Sequence, residues 1–554
     1  MVTLLSESHQ HLADSYKVVV VGSGYGGAIT AARLSAAGHE TCLLERGREW
    51  VPGSFPDSPD EMAGNLRRKK RPLGLYEFLS FPHINVFQGS GLGGGSLINA
   101  NVAIRPDAEF FQHYTWPQEI QDLASDDSIW EYFDRVESVL DPEPHPGAVN
   151  PAEQLRKVAA MEKHWSTLGP DIHFHPSLPL AVNFSDDAPL NEFGVPQARC
   201  IDCGDCFTGC NVRAKKTLYM NYLPLAKQLG TRIFAQIEVR FIEKTADDRW
   251  RVHYVRRFTD KAGEEGSLLA DNVVLAAGSL GSTGLLLRSR DQGLPVSAQL
   301  GERFSGNGDF YAVSYNGDDR TDIMGFGDHE YDKRAAVAAG PSIISGIQYG
   351  RDQGFTKRFI VEDASMPRAA VKLVRAGLKI IGPLGKNVGK GDKVAKLKRR
   401  ARDFQWNPKG ALNHTMVYLV MGVEGDLGTM TLHPRKDVVS IEWKDVAKQP
   451  VFDRISDALR EHARTLKGNY VRNLNRIIEG ELTTVHPLGG CAMAEGASAG
   501  VVDARGRVFD DAGGVHSGLY VADGSILRGA VGVNPFLTIS AFAERIAEQA
   551  AAEI

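Results

Sequence analysis

Two short segments near the end of the chain carry side chains suited to drawing hydride from an alcohol carbon. His486 opens a His-Pro-Leu-Gly-Gly-Cys turn ending at Cys491, and about fifty residues on, Val531-Gly532-Val533-Asn534-Pro535-Phe536 leads into an amphipathic stretch of helical period. An alcohol releases hydride readily only as its hydroxyl proton is withdrawn. A neutral imidazole within reach of that proton, with a carboxamide orienting substrate or flavin, supplies what the step needs. Pro535 suits the first position of a helix, whose partly positive start can then face an anionic reduced flavin. Taken alone, a histidine beside a proline is an ordinary turn residue and Asn534 an ordinary N-cap. The pair gains meaning from the rest of the chain.

A second constellation is made of thiols. Cys200, Cys203, Cys206 and Cys210, four of the six cysteines, stand in C-x2-C-x2-C-x3-C spacing. Bacterial ferredoxins hold iron-sulfur clusters with this run, but there the fourth cysteine serves a second cluster and precedes proline. Here no second copy exists and Asn211 follows. Either Cys210 folds back onto the same cluster, or Cys491 completes it, or three ligands serve. Zinc and an unmetallated thiol loop are the rival readings, although zinc sites usually come as two separated C-x2-C pairs. A cluster would offer a reduced flavin a one-electron exit and favour a dehydrogenase over an oxidase.

These groups need a scaffold, and the N-terminal segment describes one. Val18–Val21 is an apolar strand followed by Gly22-Ser23-Gly24-Tyr25-Gly26-Gly27, a helical run from Ala28 to Ala37 and a second strand ending at Glu45. Gly22, Gly24 and Gly27 fit G-x-G-x-x-G: the first makes the turn, the second lets backbone approach a pyrophosphate, the third lets helix pack on strand, and Glu45 meets the ribose. Both FAD and NAD use this fingerprint. Further segments favour FAD. A buried strand from Asn272 to Ala277 runs into Gly278, a second strand ends in Asp523-Gly524, and a glycine-dense stretch from Gln88 to Asn99 lies between apolar flanks. Those flanks argue for a loop threading along an extended cofactor and against a surface linker.

With these segments in order, the chain resembles the glucose-methanol-choline (GMC) oxidoreductase family, and within it the bacterial cholesterol oxidase branch with non-covalent FAD. The resemblance is carried by residues 18–47, the QGSGLGGGSLINAN loop at 88–101, AKKTLYMNYLPLA at 214–226, the HPLGGC turn and residues 519–548. It implies that His486 is the active-site histidine, Asn534 its partner, and Glu362, within Phe359–Pro367, a catalytic glutamate. In a dry pocket Glu362 would move a ring double bond into conjugation by taking and returning a carbon-bound proton. An exposed strand-end acid is the competing reading. FAD would contact Gly22, Gly24, Gly27, Glu45, Gly89, Gly94, Gly95, Ser96, Asn99, Ala277, Gly278, Asp523, Gly524, Asn534, Pro535 and Phe536.

Composition suits a soluble, cytoplasmic enzyme with two domains: 554 residues, 43% hydrophobic, 24% charged, net charge −5, with no basic n-region before an apolar core at the start. Such a charge gives no reason to expect nucleic acid. From Pro367 to Lys409 basic residues far outnumber acids. Arg368, Lys372, Arg375 and Lys379 would share one helical face beside Val371, Val374, Leu378 and Ile381, and Arg67 to Arg71 form a second basic cluster. A helix of this kind either lies on an anionic membrane, at the inner face, or packs its apolar side on the protein's own core.

The expected fold is α/β: a discontinuous Rossmann-like FAD-binding domain (1–48, 87–105, 199–310, 483–554) and an α+β substrate domain (49–86, 106–198, 311–482) built on an antiparallel sheet. Val417–Met421, Met430–Leu432 and Val438–Trp443 are assigned to that sheet. The expected activity is FAD-dependent oxidation of a hydrophobic, sterol-like alcohol, with oxygen or a redox protein as acceptor. The alternatives are a dehydrogenase of a sugar or other alcohol passing electrons through an iron-sulfur cluster, and a non-catalytic flavin-binding electron carrier.

Overall fold

The computed structural model describes residues 4–148, 150–259, 261–327, 338–389, 391–403, 407, 409–434, 437–472 and 482–554. The end of the basic stretch, 404–406 and 408, lies outside the described residues. Two large sheets organise the chain. The first has five parallel strands in the order Val515–Val521, Glu264–Leu275, Ser15–Val21, Thr41–Leu44 and Arg232–Phe234, with Arg507–Phe509 antiparallel at one edge. Val18, Val19, Val20, Leu43 and Val273 to Leu275 are buried on both faces, which is why these strands read as unbroken apolar runs. The helices Tyr25–Ala36, Ser279–Asp291 and Phe536–Glu553 follow strand ends or close the chain around them.

The strand expected from Asn272 is twelve residues long and begins at Glu264. Its first half pairs with an antiparallel ribbon, Ile237–Lys244 and Trp250–Arg256, and its second half with Ser15–Val21. That first half is exposed or half-buried except at Leu268, which hides it from a search for apolar runs.

The second sheet has seven strands, antiparallel throughout, with Phe310–Tyr315, Met416–Gly422 and Phe359–Ala364 near its middle. Only the first of the three segments expected there belongs to it. Thr429–Leu432 and Val439–Glu442 pair with each other as a separate hairpin, because their outer face stays solvated and offers no second apolar side to a larger sheet. A small third sheet sets Leu482–Thr484 parallel to Ile84–Gly89 and the latter antiparallel to Tyr76–Ser80. One small sheet thus launches both the glycine-dense loop and the turn bearing His486.

Candidate active site

The carboxyl ends of the parallel strands meet at one level. Val21, Leu44, Leu275 and Val521 are in register across the sheet, so Gly22, Glu45, Ala276 to Gly278 and Ala522-Asp523 form one ridge just beyond it. Gly22 has φ +101°, and a Cβ there would stand 2.3 Å from the Ala276 carbonyl oxygen. A Cβ on Gly27 would stand 1.9 Å from the Gly22 carbonyl oxygen, so helix and turn pack without room for a side chain. Gly24 differs: a Cβ would meet nothing within 4 Å, which leaves open space before the first turn of Tyr25–Ala36. Gly95 and Gly278 face open space likewise.

The glycine-dense loop lies directly on this ridge, since a Cβ on Gly94 would stand 2.8 Å from Gly24 Cα. Ser23 joins the two, its hydroxyl donating to Glu45 Oε2 at 2.5 Å and accepting from the Gly93 amide at 3.0 Å. Gly47 N donates to Glu45 Oε1 at 2.8 Å. Gly89 closes the neck of the loop against Gly94, and the Ser96 hydroxyl is held by Gly93 O and Leu218 N. Asp523 accepts from Gly278 N, Ser282 Oγ, Ser525 N and Ser525 Oγ, all within 2.8 Å, while Ala277 N donates to Ser282. Asp523 therefore ties the ends of two strands together. Gly524 packs against Ile539.

This cradle fits FAD. A helix N-terminus fronted by open space suits a pyrophosphate, and Ser90 Oγ and Asn99 Oδ1 are buried along the same loop without a protein partner. The Asn99 amide donates to Tyr25 at 2.8 Å, and Tyr25 stacks on Phe536 with ring centroids 4.8 Å apart, bringing the starts of the first and last helices together. Pro535 caps the last helix rather than occupying its first turn.

One turn, Ser305 to Asp309, holds both candidate catalytic segments. Asp309 Oδ1 lies 2.8 Å from His486 Nδ1, and Oδ2 accepts from Val485 N and Thr484 Oγ1. A carboxylate facing Nδ1 places the imidazole proton there and leaves Nε2 as the acceptor. Two residues earlier, Asn307 Oδ1 accepts from Val531 N and Gly532 N while its Nδ2 donates to Val533 O at 2.8 Å. Asn307 and Gly308 both have positive φ, and a Cβ on Gly308 would stand 2.4 Å from the Gly422 carbonyl oxygen.

The antiparallel sheet supplies the opposite wall. Tyr311 and Glu362 both register on Leu419, so the three side chains stand in a row on one face. Glu362 is fully buried, which removes the exposed strand-end reading, and Oε2 receives Asn534 Nδ2 at 3.4 Å. Glu362 Oε1, Asn534 Oδ1 and the Tyr311 hydroxyl are buried without protein partners. Burial pushes Glu362 well above the ordinary carboxylate range; the Asn534 hydrogen bond opposes this, and the charges of Asp363 and Asp309 add to it. Burial, then Asp309 and Glu362, raise Tyr311 too. Glu362, Asn534, Tyr311 and Asp309 thus share one electrostatic neighbourhood. Asp309, Asn307 and Tyr311 escape the sequence reading. Ser305-Gly306-Asn307-Gly308-Asp309 announces a turn, but the side-chain partners of Asn307 and Asp309 lie 175 to 226 residues away.

The four cysteines of 200–210 line one cavity, and all six cysteines are free thiols. Cys491 stands apart, buried 3.6 Å from Thr283 Oγ1. Among the described residues no three His, Cys, Asp or Glu side chains converge closely enough to hold a metal ion. No described helix is long and apolar enough to cross a membrane.

Comparison with known proteins follows this geometry. Residues 74–305 match the N-terminal and 432–543 the C-terminal profile of GMC oxidoreductases, together well over half the chain. A cholesterol oxidase of Acinetobacter baumannii is 26% identical over 559 residues, covering 96% of this chain and 93% of that one. One of Mycobacterium tuberculosis (strain ATCC 25618 / H37Rv) is 26% identical, covering 97% and 91%. A long-chain-alcohol oxidase of Arabidopsis thaliana is 23% identical, covering 95% and 66%. Among solved structures, pyridoxine 4-oxidase from Mesorbium loti shares the fold with a TM-score of 0.58 at 16% identity, covering 96% of this chain and 99% of that one.

Proposed function

The chain belongs to the GMC oxidoreductase family, and on that premise we propose that it binds FAD without a covalent link and oxidises the hydroxyl group of a hydrophobic, sterol-like alcohol. The observation that carries this reading is the Ser305–Asp309 turn, which fastens His486 and the Val531–Asn534 loop to one support. Bound FAD supplies the two-electron acceptor for the hydride. Asp309 holds the Nδ1 proton of His486, so Nε2 is free to take the hydroxyl proton as the carbon–hydrogen bond breaks. Asn534, with Oδ1 unpaired, orients the hydroxyl against that nitrogen.

Glu362 has a separate task. Once the ketone forms, its carboxylate takes the proton between carbonyl and double bond and returns it two carbons along, giving a conjugated enone. A dry site makes the group more basic and so better matched to a carbon acid. The names of the relatives, cholesterol oxidase and long-chain-alcohol oxidase, support an apolar substrate.

Such a substrate would be met at a lipid surface. Of the two outcomes open to the apolar face of the basic helix, Val371 and Leu378 follow the second and are buried in the core. A different set points out. Leu373, Ile380 and Leu384, with Val394 and Leu397 of the helix Lys393–Ala401, are 60% to 80% exposed among Lys372, Lys379, Lys393, Lys398 and Arg400. Charge complementarity fits them to an anionic bilayer. In the second basic cluster, Arg67 is spent on Glu77 and Glu238, while Arg68 to Arg71 stay exposed. Six cysteines outside any disulfide, whether free or metal-bound, accord with a reducing cytoplasm.

The test is anaerobic bleaching of the FAD-loaded protein by a 3-hydroxysterol, a long-chain alcohol and a sugar, repeated with His486→Asn. The reading expects sterol to bleach fastest and the variant to respond far more slowly. Bleaching by sugar alone, or an undiminished variant, overturns it.

A further inference from the structure

We propose that the Cys200–Cys210 loop holds a multi-iron iron-sulfur cluster and that this cluster relays single electrons from the flavin site toward the surface. Cys200, Cys203, Cys206 and Cys210 all border one cavity of about 20 Å³, walled besides by Val182, Ile201, Val212 and Pro341 and by two ionisable side chains, Asp205 and Lys215. Cys210 thus turns back to the same site as the other three, and Cys491, elsewhere in the core, takes no part.

The size of that cavity separates the two metal chemistries. Four thiolates closing on one zinc ion, with zinc–sulfur bonds of about 2.3 Å, stand about 3.8 Å from one another and leave no space for a water-sized sphere between them. Here such space remains, and among the described residues no three His, Cys, Asp or Glu side chains converge tightly enough for a single ion. Iron bonded to sulfur approaches it much more closely than water does. Four thiols around one chamber, with room left between them, suit an iron–sulfide core whose irons meet the thiolates.

The surroundings suit a negatively charged cluster. The Asp202 amide points at Cys200 Sγ at 3.5 Å, a hydrogen bond of the kind that tunes cluster potential. Lys215, 2% exposed, borders the chamber and donates to Cys206 O at 3.2 Å and to Asn99 O at 2.7 Å. One ammonium thus offsets the cluster's charge and ties the cysteine loop to the glycine-dense loop. On the far side Cys200 also borders a second cavity of about 200 Å³, lined by His145, Glu153, Phe184, Arg199 and Asp202, where electrons can leave.

The redox balance is simple. Each alcohol oxidised yields a ketone, two protons to solvent and two electrons; the electrons pass singly through the cluster and reduce two equivalents of a one-electron acceptor, for which ferricyanide is the probe. The relay rests on the flavin reduction proposed above; the cluster does not.

Protein purified without oxygen should contain about four iron and as many acid-labile sulfide per chain, with a dithionite-reduced paramagnetic signal, and Cys206→Ser should lose all three. Adding alcohol without oxygen should bleach the flavin and produce the same signal, and ferricyanide should be consumed at two per ketone. Zinc at one per chain, or four thiols that titrate in metal-free folded protein, overturns the cluster. Should Cys206→Ser fail to fold, the native iron and sulfide content decides. A cluster that stays oxidised while the flavin bleaches overturns the relay. Failure of the flavin to bleach refutes the alcohol reading and leaves the iron measurement standing.

Discussion

The parallel sheet and the antiparallel sheet hold their functional groups by opposite means. In the parallel sheet, backbone does the work: strands end in register, glycines let loops touch, and the residues beyond the ends form a cradle before a helix start. In the antiparallel sheet the groups are strand side chains, Glu362, fully buried, and Tyr311, half-buried with its hydroxyl enclosed, both short of partners. Where backbone packs on backbone, as at Gly22 and Gly27, no added atom is tolerated, whereas a buried side chain can be exchanged for an isostere and lose only its chemistry.

That contrast is sharpest at Gly27. Gly27→Ala places a Cβ 1.9 Å from the Gly22 carbonyl oxygen, so the purified variant should carry little or no FAD and melt well below the parent; normal flavin content by absorbance would break the backbone half of the comparison. Next comes the link between the sheets. Asp309→Asn preserves shape but no longer enforces the Nδ1 proton of His486, and the rate of flavin reduction should fall by about 10² to 10⁴ with FAD still bound. An effect under tenfold would show that the imidazole is oriented by something else.

Glu362→Gln probes the other half. Its ketone product should keep the double bond in place, with oxidation slowed less than isomerisation, as chromatography of the products would show. The same variant reports on stability. A carboxyl whose folded pKa is raised contributes stability that is complete below its unfolded value and lost as pH rises through the folded one. The Tm difference should therefore move in favour of the glutamine variant as pH increases; a pH-independent difference would mean that burial does not perturb the group. The smallest expected effect is at the surface. Leu373→Glu with Ile380→Glu should weaken flotation with anionic vesicles on the order of tenfold, and equal binding of parent and variant would remove the lipid contact.

The two sheets also differ in how legible they are. Val18–Val21, the spaced glycines and Glu45 sit within one unit of about thirty residues, so local spacing displays both turn and cradle. The antiparallel sheet is assembled from separated segments with solvated or irregular edges, and two apparent parts of it, Thr429–Leu432 and Val439–Glu442, pair only with each other. Glu362 was visible by resemblance, but not its burial. The basic helix shows the same limit: periodicity marks two apolar edges, Val371 and Leu378 on one, Leu373 and Ile380 on another, without saying which the core takes.

The amino-acid sequence by itself determined the nucleotide turn, the segments that carry His486 and Asn534, and the clustering of four thiols, because each depends on residues close along the chain. Tertiary structure alone decided that Asp309 holds His486, that Asn307 ties the Asn534 loop to the same turn, that Tyr311 and Glu362 share a face, and that Cys210 joins the other thiols around one cavity. Those contacts join groups brought together only when the core closes, and most span far more chain than any local pattern records.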